Sequence, residues 1–90
     1  MSEFTRASAG TVESSDAYVE IEPSNGVGVE IELESIVEAQ FGEAIRTSIA
    51  EVLAENGIKN AHIRVVDRGA LDCVIRARVE TAVLRGKGIV

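Results

Sequence analysis

The apolar residues of this chain switch between two spacings, and that switching limits the fold more than any single residue does. From Asp16 the pattern alternates: Val19 and Ile21 face one way, Tyr18, Glu20 and Glu22 the other. A strand with one wet face has this period of two. Pro23-Ser24-Asn25-Gly26 then reads as a turn closing an antiparallel hairpin. A second alternating run sets Val27, Val29, Ile31 and Leu33 against Gly28, Glu30, Glu32 and Glu34. Such an acidic row is solvated and keeps a sheet edge from pairing with another chain. Ser35-Ile36-Val37-Glu38 has the form of a capping box. Behind it Val37, Phe41, Ala44, Ile45, Ser48, Ile49, Val52 and Leu53 recur at helical spacing, with Glu38, Glu43, Arg46, Glu51 and Glu55 opposite. Gly42 lies inside this helix at a cost of about 1 kcal/mol relative to alanine. Asn56-Gly57 stops the helix. Ala61, Ile63 and Val65, alternating with His62, Arg64 and Val66, predict a third strand. A second helix follows Gly69 through Leu71, Val74, Ile75, Val79, Ala82 and Val83, ending near Arg85-Gly86 with cations at the negative end of its dipole.

The expected fold is therefore α+β. It is a two-layer sandwich of order β-β-α-β-α, a three-stranded sheet with two helices on one face. If the second and third strands are parallel, their crossover is right-handed. Met1–Gly10 shows no periodicity, so residues 1–15 are expected to form a flexible N-terminal segment ahead of a single domain over 16–90. Ninety residues leave room for one core and no deep enclosed cleft.

Composition removes several chemistries. With one histidine and one cysteine the chain cannot build a Cys/His zinc site. It contains no H-E-x-x-H, G-x-S-x-G or G-x-x-x-x-G-K-[ST] pattern. The net charge of −6 argues against nucleic acid as a partner. No apolar run is long enough to span a bilayer, and Met1–Gly10 has no apolar core for a signal peptide, so a cytoplasmic location is expected. His62 reads as a strand-face histidine and Cys73 as a small buried filler beside the apolar stripe of the last helix. Charge is uneven: residues 1–60 carry −9, residues 61–90 carry +3. Such a division is an ordinary dipolar surface, or two docking faces of opposite sign. None of these elements contains a self-contained active site.

The segment ahead of the first strand carries more. Ala9-Gly10-Thr11-Val12-Glu13-Ser14-Ser15-Asp16 resembles the N-terminal motif of the citrate lyase acyl carrier protein family, the gamma subunit of that complex. The resemblance continues in Ser35-Ile36-Val37-Glu38-Ala39-Gln40-Phe41-Gly42 and Ala44-Ile45-Arg46-Thr47. It returns in Asp67-Arg68-Gly69-Ala70-Leu71-Asp72-Cys73 and Ile75-Arg76-Ala77-Arg78. Separated blocks in the right order, spanning Ala9 to about Gly88, make the likeness specific. The chain ends at Val90, sooner than some family members.

The resemblance implies a covalent phosphoribosyl-dephospho-coenzyme A, joined by a phosphodiester to the serine of G-T-x-E-S-x-D. That serine is Ser14; Ser15 is its neighbour in the motif. Ser14 would be a tether rather than a nucleophile, the reactive thiol lying at the far end of the arm. Glu13 and Asp16 flank it and would repel the phosphates. The implied partners are an alpha subunit that exchanges acetyl for citrate on the thiol, a beta subunit that cleaves the citryl thioester to oxaloacetate, and a transferase that loads the serine. The carrier itself is implied to be non-catalytic. Arg76 and Arg78 read as contacts to a partner or a phosphate, or as a solvated helix face. Two other readings stand beside this one: the acyl carrier subunit of malonate decarboxylase, and a non-catalytic α+β interaction domain without any covalent group. An ordinary phosphopantetheine carrier is a helical bundle with an Asp-Ser-Leu motif, and this chain has neither.

Overall fold

A computed structural model describes residues 4–26 and 28–89. The elements are β1 (Ala7–Gly10), β2 (Ala17–Pro23), β3 (Val29–Ser35), α1 (Glu38–Glu55), β4 (Ala61–Asp67) and α2 (Asp72–Gly86). The fold is α+β, as expected, but the sheet has four strands in the order β1-β2-β4-β3. The added strand is β1, which falls within the unpatterned N-terminal segment. Ala9 is buried in it, and Phe4 just ahead of it is buried too.

The expected hairpin between β2 and β3 does not form. β2 pairs antiparallel with β4, Val19 opposite Val65 and Ile21 opposite Ile63. β3 pairs parallel with β4 on its other side, Ile31 opposite Ile63 and Leu33 opposite Val65. The reason is burial. β4 hides Ala61, Ile63, Val65, Val66 and Asp67, whereas on β3 Val29 and the glutamates are exposed and Ile31 and Leu33 only half-buried. The strand with most to bury takes the centre, and the acidic strand takes the edge. The loop between β2 and β3 spans the gap, tied to the entry of β4 by the Gly28 N–H, which donates to Asn60 Oδ1 at 2.8 Å. Antiparallel pairing of β1 with β2 supplies the hairpin instead, Ala9 opposite Val19.

Both helices pack on one face. Ile45, Ile49, Val52 and Leu53 of α1 and Ile75, Val79, Ala82 and Val83 of α2 meet Val19, Ile21, Ile63 and Val65 of the sheet in one core. Both helices end in a Schellman motif around a left-handed glycine. Ile58 N–H donates to the Leu53 carbonyl (2.9 Å) past Gly57, and Ile89 N–H to the Leu84 carbonyl (2.9 Å) past Gly88. The start of α1 differs from the capping box expected of Ser35. Ser35 ends β3, Val37 occupies the cap position, and no side chain caps the helix. The Glu38 side chain, Val27, Met1–Glu3 and Val90 lie outside the described residues.

The outer face of the sheet is polar. His62 on β4 stands between Glu22 (3.4 Å) and Glu32 (3.1 Å), and the hydrogen bond with Glu22 raises its pKa most. This is the strand-face histidine expected. Cys73, by contrast, is exposed rather than a buried filler. It lies on the solvent side of the first turn of α2.

Candidate functional site

Because β2 runs antiparallel to β4, the β1–β2 loop emerges at the end of the sheet where β4 stops at Asp67. Its geometry begins with Gly10. At φ +87°, a Cβ there would stand 1.8 Å from the Ala17 carbonyl oxygen, so only glycine lets the hairpin close. The Asp16 N–H donates to the Glu13 carbonyl at 3.1 Å. That closes a β-turn with Ser14 and Ser15 at its centre. Ser15 has φ +67°, the positive angle of the third residue in a type II turn.

Asp16 holds this turn in place. Its carboxylate accepts from Thr11 Oγ1 (2.7 Å), from the Ala17 N–H (2.7 Å) and from Arg78 Nε and Nη2 (2.9 and 3.2 Å). The Thr11 hydroxyl first, then the Arg78 guanidinium, hold its pKa down at about 2. The backbone is clamped as well: Ser15 N–H donates to the Arg68 carbonyl (2.8 Å) and Arg68 N–H to the Asp16 carbonyl (3.0 Å).

Ser14 is exposed, and its hydroxyl makes none of the hydrogen bonds found among the described residues. Ser15 is exposed too, so exposure does not separate the two, and the choice of Ser14 rests on the motif. Arg78 is engaged by Asp16. Arg76 pairs with Asp72 (2.8 Å) and with Glu51. Both arginines therefore hold the fold together. With Asp16 matched by Arg78, the repulsion expected of two acids beside the serine falls to Glu13.

The neighbouring segments are shaped by Asp67. Its buried carboxylate accepts from the Gly69 and Ala70 N–H groups (3.1 and 2.8 Å) and from the Ser35 hydroxyl (2.8 Å). Ser35 Oγ in turn accepts from the Val37 N–H at 3.1 Å. One carboxylate thus fixes both the exit of β3 and the exit of β4. Periodicity offered no sign of this; an Asp directly after the apolar pair Val65-Val66 at the end of the strand was the available clue. The blocks around Ser14, Ser35 and Asp67, far apart in sequence, meet at one end of the molecule.

Between the start of α1 and the 68–72 segment lies an apolar cleft of about 350 Å³. It is lined by Val37, Phe41, Ala44, Ile45, Leu71 and Ile75, and also by Asp67 and Asp72. Asp72 accepts from Ser48 Oγ (2.5 Å) and Arg76 Nε (2.8 Å), and its pKa is lowered, by the Ser48 hydroxyl most. Val12, Ile36, Phe41 and Leu71 are large apolar side chains left exposed at this end. Phe41 and Leu71 were expected on the buried stripes of their helices. They precede the turns that reach the sheet, so nothing covers them.

Residues 5–86 match the acyl carrier family described as malonate decarboxylase delta subunit (MdcD). The chain is 52% identical over 79 residues to the citrate lyase acyl carrier protein of Escherichia fergusonii, covering 88% of this chain and 81% of that protein. It is 53% identical to the citrate lyase acyl carrier protein of Vibrio cholerae with the same coverage. Its fold is similar to a chain in the crystal structure of a Pseudomonas malonate decarboxylase hetero-tetramer in complex with malonate. That likeness has a TM-score of 0.73 at 22% identity, over 92% of this chain and 84% of that one.

Proposed function

The chain belongs to the citrate lyase acyl carrier protein family, and from that premise we propose that it is the carrier subunit of a citrate lyase complex, bearing phosphoribosyl-dephospho-coenzyme A on Ser14. When bound, the group supplies a thiol that holds an acetyl or citryl unit as a thioester. The residues at the turn fit such an attachment: the Ser14 hydroxyl is exposed and uncommitted, on a turn that Asp16, Arg68 and Arg78 fix to the body. The observation that carries the reading is the convergence of the three motif blocks on the end that bears this serine.

The contribution of the body is position. A fixed anchor keeps the loaded end within reach of each partner active site, at an effective concentration in the millimolar range for a short tether. The role is carriage rather than catalysis. The partners are the alpha and beta subunits and the transferase that loads Ser14, and the setting is the cytoplasm. Among the described residues no helix is long and apolar enough to cross a membrane.

Intact-mass measurement on the complex from a citrate-fermenting native host tests the attachment. The expected result is an added mass equal to the prosthetic group, present in the wild type and in Ser15→Ala and absent from Ser14→Ala. An unmodified chain in an active complex overturns it. The family match described as malonate decarboxylase keeps a second reading in place, with the same kind of group on the same serine. Assaying the complex for citrate cleavage against malonate decarboxylation separates the two.

A further inference from the structure

We propose that the apolar cleft between the start of α1 and the 68–72 segment is a berth for the purine ring of the group on Ser14. The inference rests on the attachment proposed above and adds an intramolecular binding site to it.

The cleft and the anchor share one end of the protein. The Ser14–Ser15 turn is bonded through the Ser15 N–H to the Arg68 carbonyl, and Ala70 and Leu71 follow directly along the chain. In a phosphoribosyl-dephospho-coenzyme A joined through its phosphoribosyl end, the adenosine stands next to the anchor and the thiol is most distant. The purine is thus the part of the arm with the shortest way to the cleft.

Size and chemistry select the same part. A volume of about 350 Å³ lies in the range of small-molecule sites and is concave, as a planar ring system requires. Phe41, 54% exposed, offers an aromatic face, and Leu71, 72% exposed, an aliphatic one. Of the two acidic residues in the lining, Asp67 is buried with its carboxylate held by Gly69, Ala70 and Ser35, and Asp72, 60% exposed, is the one that presents a carboxylate to the cleft. The Asp72 carboxylate disfavours the diphosphate of the arm and the carboxylates of a citryl unit, and its remaining lone pairs can accept a hydrogen bond from an exocyclic amine. A neutral ring bearing an amine is complementary to the cleft; the anionic parts of the arm are not. The tether raises the local concentration of the ring, so even a weak site is occupied. Release of the ring would free the full length of the arm for a partner.

The test compares amide spectra of the apo and loaded full-length protein, with loading verified by mass and by peptide mapping to Ser14. The expected result is shift changes at Phe41, Ala44, Ala70 and Leu71, and nuclear Overhauser contacts between purine protons and the Phe41 ring. In loaded Phe41→Ala the changes at Ala44, Ala70 and Leu71 should be lost while those at residues 11–16 persist. The exposure of Phe41 makes this variant safe for the fold, and unchanged core resonances verify that. A loaded protein whose shifts differ only at residues 11–16 overturns the berth and leaves the attachment intact. Cleft resonances that move only when the partner subunits are added overturn it too, assigning the surface to a protein interface. A chain without the group on Ser14 overturns both proposals.

Discussion

Asp16 shows how much of an anchor one side chain can organise. Its carboxylate gathers Thr11, the Ala17 N–H and Arg78, and the serine turn has no comparable side-chain brace of its own. Its pKa lies below that of an unfolded aspartate, so the charged form is the one the fold favours. The stabilisation is complete above the ordinary carboxylate value of 3.8 and is lost as pH falls through about 2. Amide exchange at Ser15, which donates to the Arg68 carbonyl, should accelerate, beyond its intrinsic pH trend, over that window in the wild type. In Asp16→Asn it should already be fast at neutral pH, and the acid-dependent step should vanish. A wild-type exchange profile in that variant would show that the backbone clamp suffices alone. Little of this was legible in sequence. Ser14 was found through its motif, but the pairing of Asp16 with Arg78, 62 positions apart, depends on which strand lies beside which.

At the scale of elements, α1, β4 and α2 were legible because each has a buried stripe long enough to show its period. β1 was not. Ala7, Ser8, Ala9 and Gly10 are small because α2 packs close to that edge, and small residues leave no periodic signal. The pairing of β2 with β4 was hidden for another reason: local pattern says which face of a strand is buried, not which strand takes the centre. The hairpin that does form depends on Gly10. Gly10→Ala would put a Cβ 1.8 Å from the Ala17 carbonyl in a left-handed conformation. It should cost about 2 kcal/mol or more, from backbone strain and from displacement of β1. Thermal or urea unfolding measures that loss. Cross-strand contacts between Ala9 and Val19 should weaken while those between Ile21 and Ile63 survive. Equal loss of both would place β1 among the elements that fold with the rest of the sheet in a single step.

For the whole molecule the question is where the flexible joint of a carrier lies. The sequence suggested a loose N-terminal segment with the serine on it. In the folded chain the serine turn is enclosed between two paired strands and bonded to Arg68 and Arg78. Ahead of it, the Thr5 N–H donates to the Gly86 carbonyl at 2.8 Å, and Arg85 Nη1 to the Ser8 carbonyl at 3.0 Å. Gly86 lets this strap approach, since a Cβ there would stand 2.7 Å from the Thr5 carbonyl oxygen. The N-terminal strand thus joins the end of α2, and the turn at its far end is held by the start of the next strand. A device built this way moves its cargo by bending the covalent arm and keeps the protein side of the joint stiff. Backbone nitrogen relaxation should give Ser15 and Asp16 order parameters near 0.8, close to those of the sheet, rather than the values below about 0.6 found in flexible segments. Gly86→Ala should lower them at residues 5–10 first, because the strap is displaced before the Asp16 brace is lost. Low order at Ser15 in the wild type would move the joint back into the polypeptide and make the turn itself the swinging part.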